Sequence, residues 1–193
     1  MRRFSTFRLT LIALCAVLNG GVGFVVQLLK LPVYLDLIGS VLAAAILGPL
    51  EGVAVAILGI IVLGLTTTAN AYAYVGTAIV VTLLASLFTR WGYLQRWPQT
   101  IMFGLLLGIV SALVSAPVTA YLFGGISFVG TDAVTAFFRA MGQTISTSVF
   151  LGALSTDPID KLLVSLICFV LLRNLPQRLK DRLKYESAFA RDP

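Results

Sequence analysis

The residues best equipped for chemistry in this sequence stand together in Ser155-Thr-Asp157-Pro158-Ile-Asp160-Lys161, where two carboxylates and an ammonium fall between apolar stretches of helix length. The whole chain of 193 residues carries only 14 Lys or Arg and 8 Asp or Glu, so such a cluster marks either a site or a structural join. Local rules favour the join. Asp157 before Pro158 has the form of an N-cap followed by proline at the first helical position, and Asp160 then meets the positive end of the helix dipole. Lys161 pairs with Asp157 one turn back, which lowers the cost of holding an ammonium near lipid. Asp157, Asp160 and Lys161 are therefore expected to be structural, at the head of a last helix.

A second set of candidates is spread over three turn segments. Lys30-Leu-Pro32-Val-Tyr34-Leu-Asp36, Thr66-Thr-Thr-Ala-Asn70-Ala-Tyr72-Ala-Tyr74 and Phe123-Gly-Gly-Ile-Ser-Phe-Val-Gly-Thr131-Asp132 all bring polar or aromatic groups to one side of the chain's path. A pocket for a small, partly aromatic solute needs apolar and aromatic walls with a few fixed polar groups. Tyr34, Asp36, Asn70, Tyr72 and Tyr74 can supply both, joined by Arg139 and Gln143 from one polar helix face that also carries Ser146 and Thr147. Tyrosines also gather at membrane interfaces whatever a protein does, so Asn70 and Gln143 are the stronger candidates. These groups suit a neutral or weakly charged aromatic heterocycle, and a nucleoside would be served by much the same set.

Enzyme and cofactor chemistry find no footing. The chain has no histidine, and Cys15 and Cys168 stand singly in apolar segments, which removes the usual metal clusters and His-assisted nucleophiles. Both cysteines read as buried hydrophobes. No Gly-x-x-x-x-Gly-Lys-Ser/Thr loop is present, so if the protein transports actively, something else supplies the energy. No cofactor, resident metal or catalytic residue is expected, and the halves show no inverted repeat.

The elements that must position these residues are helices in lipid. Hydrophobic residues make up 59% of the chain, its mean hydropathy is +0.99, and its apolar runs are continuous rather than alternating. A run of about 17 to 25 residues crosses the roughly 30 Å hydrocarbon core as a helix. The expected architecture is an all-α integral membrane protein in one domain, a six-helix bundle with spans over about 9–29, 34–48, 51–66, 72–88, 100–122 and 159–172. An additional amphipathic or re-entrant lid helix is expected over 132–154, because Arg139 is costly at mid-bilayer. Residues 173–193 form a tail. Arg2, Arg3 and Arg8, then Arg90 and Arg96, then Arg173, Arg178, Lys180, Arg182, Lys184 and Arg191 place both termini and the loop near residue 90 in the cytoplasm. The net charge of +6 is thus a topology signal, not a nucleic-acid footprint. The first segment lacks a convincing processing site and is expected to remain as the first span. Glu51, just after Gly48-Pro49, is expected to lie in a helix's first turn.

The run Leu31-Pro32-Val-Tyr34-Leu-Asp36-Leu-Ile-Gly39-Ser40, the turn Gly48-Pro49-Leu-Glu-Gly52, the stretch from Ser111 through Pro117 to Gly125, and Asp157-Pro158-Ile-Asp160-Lys161 leading to Leu175-Pro176-Gln-Arg178-Leu179 resemble, in this order along nearly the whole chain, the substrate-binding S component of energy-coupling factor (ECF) transporters. Within that group the sequence is most similar to the branch linked to hydroxymethylpyrimidine, pyridoxine and related small heterocycles. The resemblance implies a subunit of a bacterial cytoplasmic membrane that captures a water-soluble, vitamin-like nutrient on its outer side. It would then dock on a scaffold membrane subunit carrying two ATPases, and small residues on the first helix, here Ala13, Ala16 and Gly20, would form the docking face. Two other classes remain open: a membrane sensor or interaction protein that binds a ligand without moving it, and a small stand-alone carrier that oligomerises.

Overall fold

The computed structural model describes residues 6–177. Its elements are α1 (Thr6–Leu28), α2 (Ile38–Ile46), α3 (Pro49–Thr66), a short 3-10 helix (Ala69–Tyr74) running into α4 (Val75–Arg90), α5 (Trp97–Phe123), α6 (Asp132–Ala140) and α7 (Ile145–Arg173). No strand occurs among the described residues. Arg2, Arg3 and the basic residues from Arg178 onward lie outside them, as does most of the tail 173–193.

Four segments are long and apolar enough to cross a membrane: Thr6–Leu28, Pro49–Thr66, Ala69–Arg90 and Trp97–Phe123. Their outward faces are greasy, with Leu14, Val17, Ile61, Leu83, Leu105 and Leu113 all exposed, as a chain solvated by lipid requires. The protein is built as a multi-pass membrane bundle.

Small residues set how closely these helices approach. A side chain on Gly108 would strike the backbone of Asp157 and Pro158, and one on Gly104 would strike Ser165 and the backbone at Leu162. This Gly-x-x-x-Gly edge lets α5 lie directly along α7, the most extensive helix pair in the bundle. Gly52 approaches Ala44 between α3 and α2 in the same way, and Gly39 meets the carbonyl of Cys15 between α2 and α1. The core that results includes Val41, Ala56, Val81, Phe103, Leu107, Val164 and Cys168.

At one end, Pro49 opens α3 and places Glu51 in its first turn, where it accepts a hydrogen bond from Arg8 of α1 at 3.2 Å. Nearby in sequence to the basic residues Arg90 and Arg96, Phe88 packs edge-on against Trp91 and Tyr93, and Trp97 packs on Phe169.

Several sequence expectations are corrected. The second span, expected over 34–48, is a helix of only nine residues, about 14 Å long, preceded by nine residues of turn and other non-helical chain. The lid expected over 132–154 stops at Ala140, and a turn over 141–144 separates it from α7. α7 then runs unbroken for 29 residues with Pro158 inside it. Its N-cap is Thr144, whose hydroxyl accepts the Thr147 N–H at 3.3 Å, so Asp157, Asp160 and Lys161 are mid-helix residues and not caps. The Asp-Pro pair looks like a helix start because proline lacks a donor, yet α7 runs on through Pro158, where Gly108 of α5 packs against it. Ser155 and Thr156 turn their hydroxyls back onto the carbonyls of Leu151 and Gly152 in the preceding turn.

The docking face is also corrected. Ala13 is exposed, but Ala16 is buried, and Gly20 is pressed against Val62 of α3. The small residues at that spacing serve contact within the chain.

The close α5–α7 approach yields a direct test. Gly108→Val should lower thermal stability in detergent by about 1 to 3 kcal/mol or abolish folding, whereas Gly21→Ala, where an added side chain meets nothing within 4 Å, should change it little.

Candidate functional site: a polar cavity beside a half-length helix

The site begins with two side chains that hold a backbone with no helix of its own. α2 starts inside the bundle, and the first N–H groups of any helix lack intrahelical partners. Asn19, in the middle of α1 and 1% exposed, supplies them: its Oδ1 accepts Gly39 N–H at 2.6 Å and Ser40 N–H at 3.3 Å, and its Nδ2 donates to Ser40 Oγ at 2.6 Å. Upstream, Asp160 of α7 does the same for the non-helical segment. Its Oδ1 accepts the N–H groups of Tyr34 at 2.9 Å and Leu35 at 2.7 Å, while Oδ2 pairs with Lys161 Nζ. Both Asp160 and Lys161 are buried.

Above this segment, the turn regions at one end interlock. Tyr34 Oη shares a hydrogen bond with Thr131 Oγ1 at 2.8 Å, and Gly130 lies against the carbonyl of Leu31, too close for any side chain. Tyr74 Oη bonds to Thr119 Oγ1 at 2.7 Å and to Ser127 Oγ at 3.1 Å. Asp132 fixes the third turn by accepting from the N–H groups of Ser127, Phe128 and Val129.

Between the Asp160 layer and these turns lies a cavity of about 650 Å³ of empty space, counting its open mouth. Apolar walls come from Leu37, Ile60, Leu63, Ala71 and Ala78, and aromatic walls from Tyr34 and Tyr74. The polar lining comprises Asp36, Asn70, Thr77, Ser111, Ser115, Asp157 and Lys161, with Gln27 and Ser127 at its margin. Ser115 Oγ donates to Asp157 Oδ2 at 3.3 Å, and Lys161 Nζ stands 5.9 Å from the centre of the Tyr34 ring, in cation–π range. Thr77 is 7% exposed, and its hydroxyl has no partner among the described residues. An unsatisfied buried hydroxyl on a cavity wall is what a ligand's polar group would complete.

Four of the seven residues expected to form a pocket therefore line one cavity: Tyr34, Asp36, Asn70 and Tyr74. The other three do not. Tyr72 is 40% exposed and lies over Gly64, while Arg139 and Gln143 are exposed on α6 and the turn that follows it. The polar face of the lid helix was read as facing inward, but the break at 141–144 leaves it outside. Asp157 and Lys161, expected as a cap, instead line the cavity, with Asp160 just beneath. Thr77, Ser111 and Ser115 were missed. A signal for two of them exists, since Ser111, Ser115 and Thr119 recur every four residues on an otherwise apolar helix.

Among the described residues, no group of His, Cys, Asp and Glu is placed to hold a metal ion. The carboxylates here are arranged about an ammonium. The cavity can bind and orient a small molecule by hydrogen bonds and ring contacts. No family model matches the chain, and no curated protein or solved structure matches it.

The Asp160–Lys161 pair makes an asymmetric prediction. Asp160→Ala should destabilise by about 3 to 5 kcal/mol or prevent folding, since it strands a buried ammonium and two backbone donors. Adding Lys161→Met to that variant should recover part of the loss in thermal unfolding measurements, because removing both charges costs less than removing one.

Proposed function

We propose that this chain is the solute-capture subunit of an energy-coupling factor importer, binding a small heterocyclic nutrient from outside and passing it on by docking to a scaffold subunit with two ATPases. The observation that carries this reading is the cavity itself: charged, hydroxylic and aromatic groups enclosed by helices whose outer faces are apolar, under interlocked turns at one end. A protein that only filled lipid would not retain such a lining, because intramembrane ionisable groups are costly and mark solute pathways. The sequence has no nucleotide-binding loop, so the energy must come from partners.

The membrane arrangement belongs to the same proposal. Four long segments cross, residues 29–46 make a fifth crossing as non-helical chain plus half-helix, and α7 makes the sixth. The fifth is admissible because its non-helical backbone is buried in protein, where Asp160 and Asn19 satisfy it. The sixth is admissible because α7 turns Asp157, Asp160 and Lys161 inward and leaves Ile159, Leu163, Ile167 and Val170 to lipid. Six crossings return the chain to the side of its basic ends, which is the cytoplasm by the positive-inside rule. The cavity mouth then faces outward.

Topology can be checked with single cysteines in a background lacking Cys15 and Cys168. Phe128→Cys, on an exposed turn, should react with an impermeant thiol reagent added to intact cells, and Gln95→Cys should not. The reverse pattern would overturn the orientation.

Binding can be checked by purifying the protein in detergent, identifying any retained small molecule by mass spectrometry, and titrating it back. Asn70→Ala should weaken its binding by about 1 to 3 kcal/mol, the cost of an unsatisfied partner in a desolvated site. Gln143→Ala should leave it unchanged. Uptake of that molecule by cells should require co-expressed scaffold and ATPase subunits; uptake by this chain alone would overturn the import reading.

A further inference from the structure

The charges around the cavity do not balance. Asp36, Asp157 and Asp160 surround a single ammonium, that of Lys161, so three carboxylates face one cation. Asp160 has the first claim on Lys161, being directly paired with it, and its other oxygen is filled by two backbone N–H groups. What remains are Asp36 and Asp157 on the cavity wall. Asp157 is 2% exposed and is met by the hydroxyls of Ser111 and Ser115 but by no cation of its own, and the Asp36 carboxylate has only its own backbone N–H as a hydrogen-bond partner. A carboxylate removed from water without a cation is costly, and an incoming positive group relieves that cost.

An independent observation points to an occupant of the same space. The Thr77 hydroxyl on α4 is buried, lines the cavity and has no partner among the described residues. Tyr34 adds a ring that already accepts one cation on its face, with Lys161 Nζ at 5.9 Å from its centre.

We infer that the cavity selects a small aromatic solute bearing a cationic nitrogen group, whose charge is met by Asp36 and Asp157 and whose remaining polar atom is met by Thr77. This departs from the neutral or weakly charged heterocycle expected from the turn residues alone. It deepens the capture reading by naming the charge class of the solute, and it rests on that reading only in using the same cavity. The two carboxylates oppose an anionic solute, and a neutral one supplies them no cation.

The test uses the full chain in detergent micelles and three probes of one shape and three charges: benzamidinium, benzamide and benzoate. Calorimetric titration should show benzamidinium binding about tenfold or more tightly than benzamide, as charge-assisted hydrogen bonds predict, with benzoate not binding. Asp157→Asn and Asp36→Asn should each reduce the ratio of benzamidinium to benzamide affinity several-fold. Thr77→Val should weaken both probes alike and leave their ratio intact without lowering the thermal stability of the ligand-free protein, a combination that a merely structural threonine would not give. If Asp157→Asn does not fold, Asp36→Asn and Thr77→Val decide the matter. Equal binding of benzamidinium and benzamide, tighter binding of benzoate, an unchanged ratio in Asp36→Asn, or no saturable benzamidinium binding overturns the inference. No partner subunit enters the measurement, so it can fail while ATPase-dependent uptake stands, and it can succeed while that uptake fails.

Discussion

The Asp160 carboxylate is the contact on which most of this structure depends. It is fully enclosed, it neutralises Lys161 beside it on α7, and it receives the N–H groups of Tyr34 and Leu35 from a segment with no helical hydrogen bonds of its own. In a lipid-solvated bundle, backbone donors without partners are among the most expensive features a fold can carry. Asp160 removes two of them at once. Asn19 removes two more at the start of α2, and together these side chains allow non-helical chain to lead into a short helix inside the bundle.

That irregular segment borders the site. The non-helical segment before α2 lies beside α7 and brings Tyr34 and Asp36 to the same cavity as Asp157 and Lys161. The interlocked turns then close the end: Tyr34 reaches Thr131, Tyr74 reaches Thr119 and Ser127, and Asp132 gathers the backbone of the third turn. The side chains that line the cavity and those that hold its walls are thus adjacent, and in Tyr34 they are the same residue. Along α7, burial of charge, which would be a liability in a helix facing lipid, is kept to the inner face while the outer face remains apolar.

Small residues decide the remaining geometry. The Gly104 and Gly108 edge brings α5 against α7 at the level of Pro158, so the proline's interruption is packed by a neighbouring helix and α7 continues through it. The same logic redirects Ala16 and Gly20, which look like a docking edge by spacing but are consumed by contact within the chain. Spacing of small residues identifies a helix–helix contact without saying whose helix is the partner.

Composition and run length by themselves determined that the chain is helical and solvated by lipid, because continuous apolar runs leave no other way to satisfy the backbone. The long apolar helices were legible to within a few residues for the same reason, and so was the gathering of Tyr34, Asp36, Asn70 and Tyr74, since turns between spans must meet at one end. Only tertiary structure decided the rest. Whether Asp157-Pro158 begins a helix or lies within one depends on whether a neighbour packs against the proline, and that neighbour is about fifty residues away in sequence. Whether a polar helix face looks inward depends on a four-residue turn, which left Arg139 and Gln143 outside. And the pairing of a carboxylate on α7 with two amides more than a hundred residues earlier has no local signature, because a buried charge chooses its partners by distance in space and not by spacing along the chain.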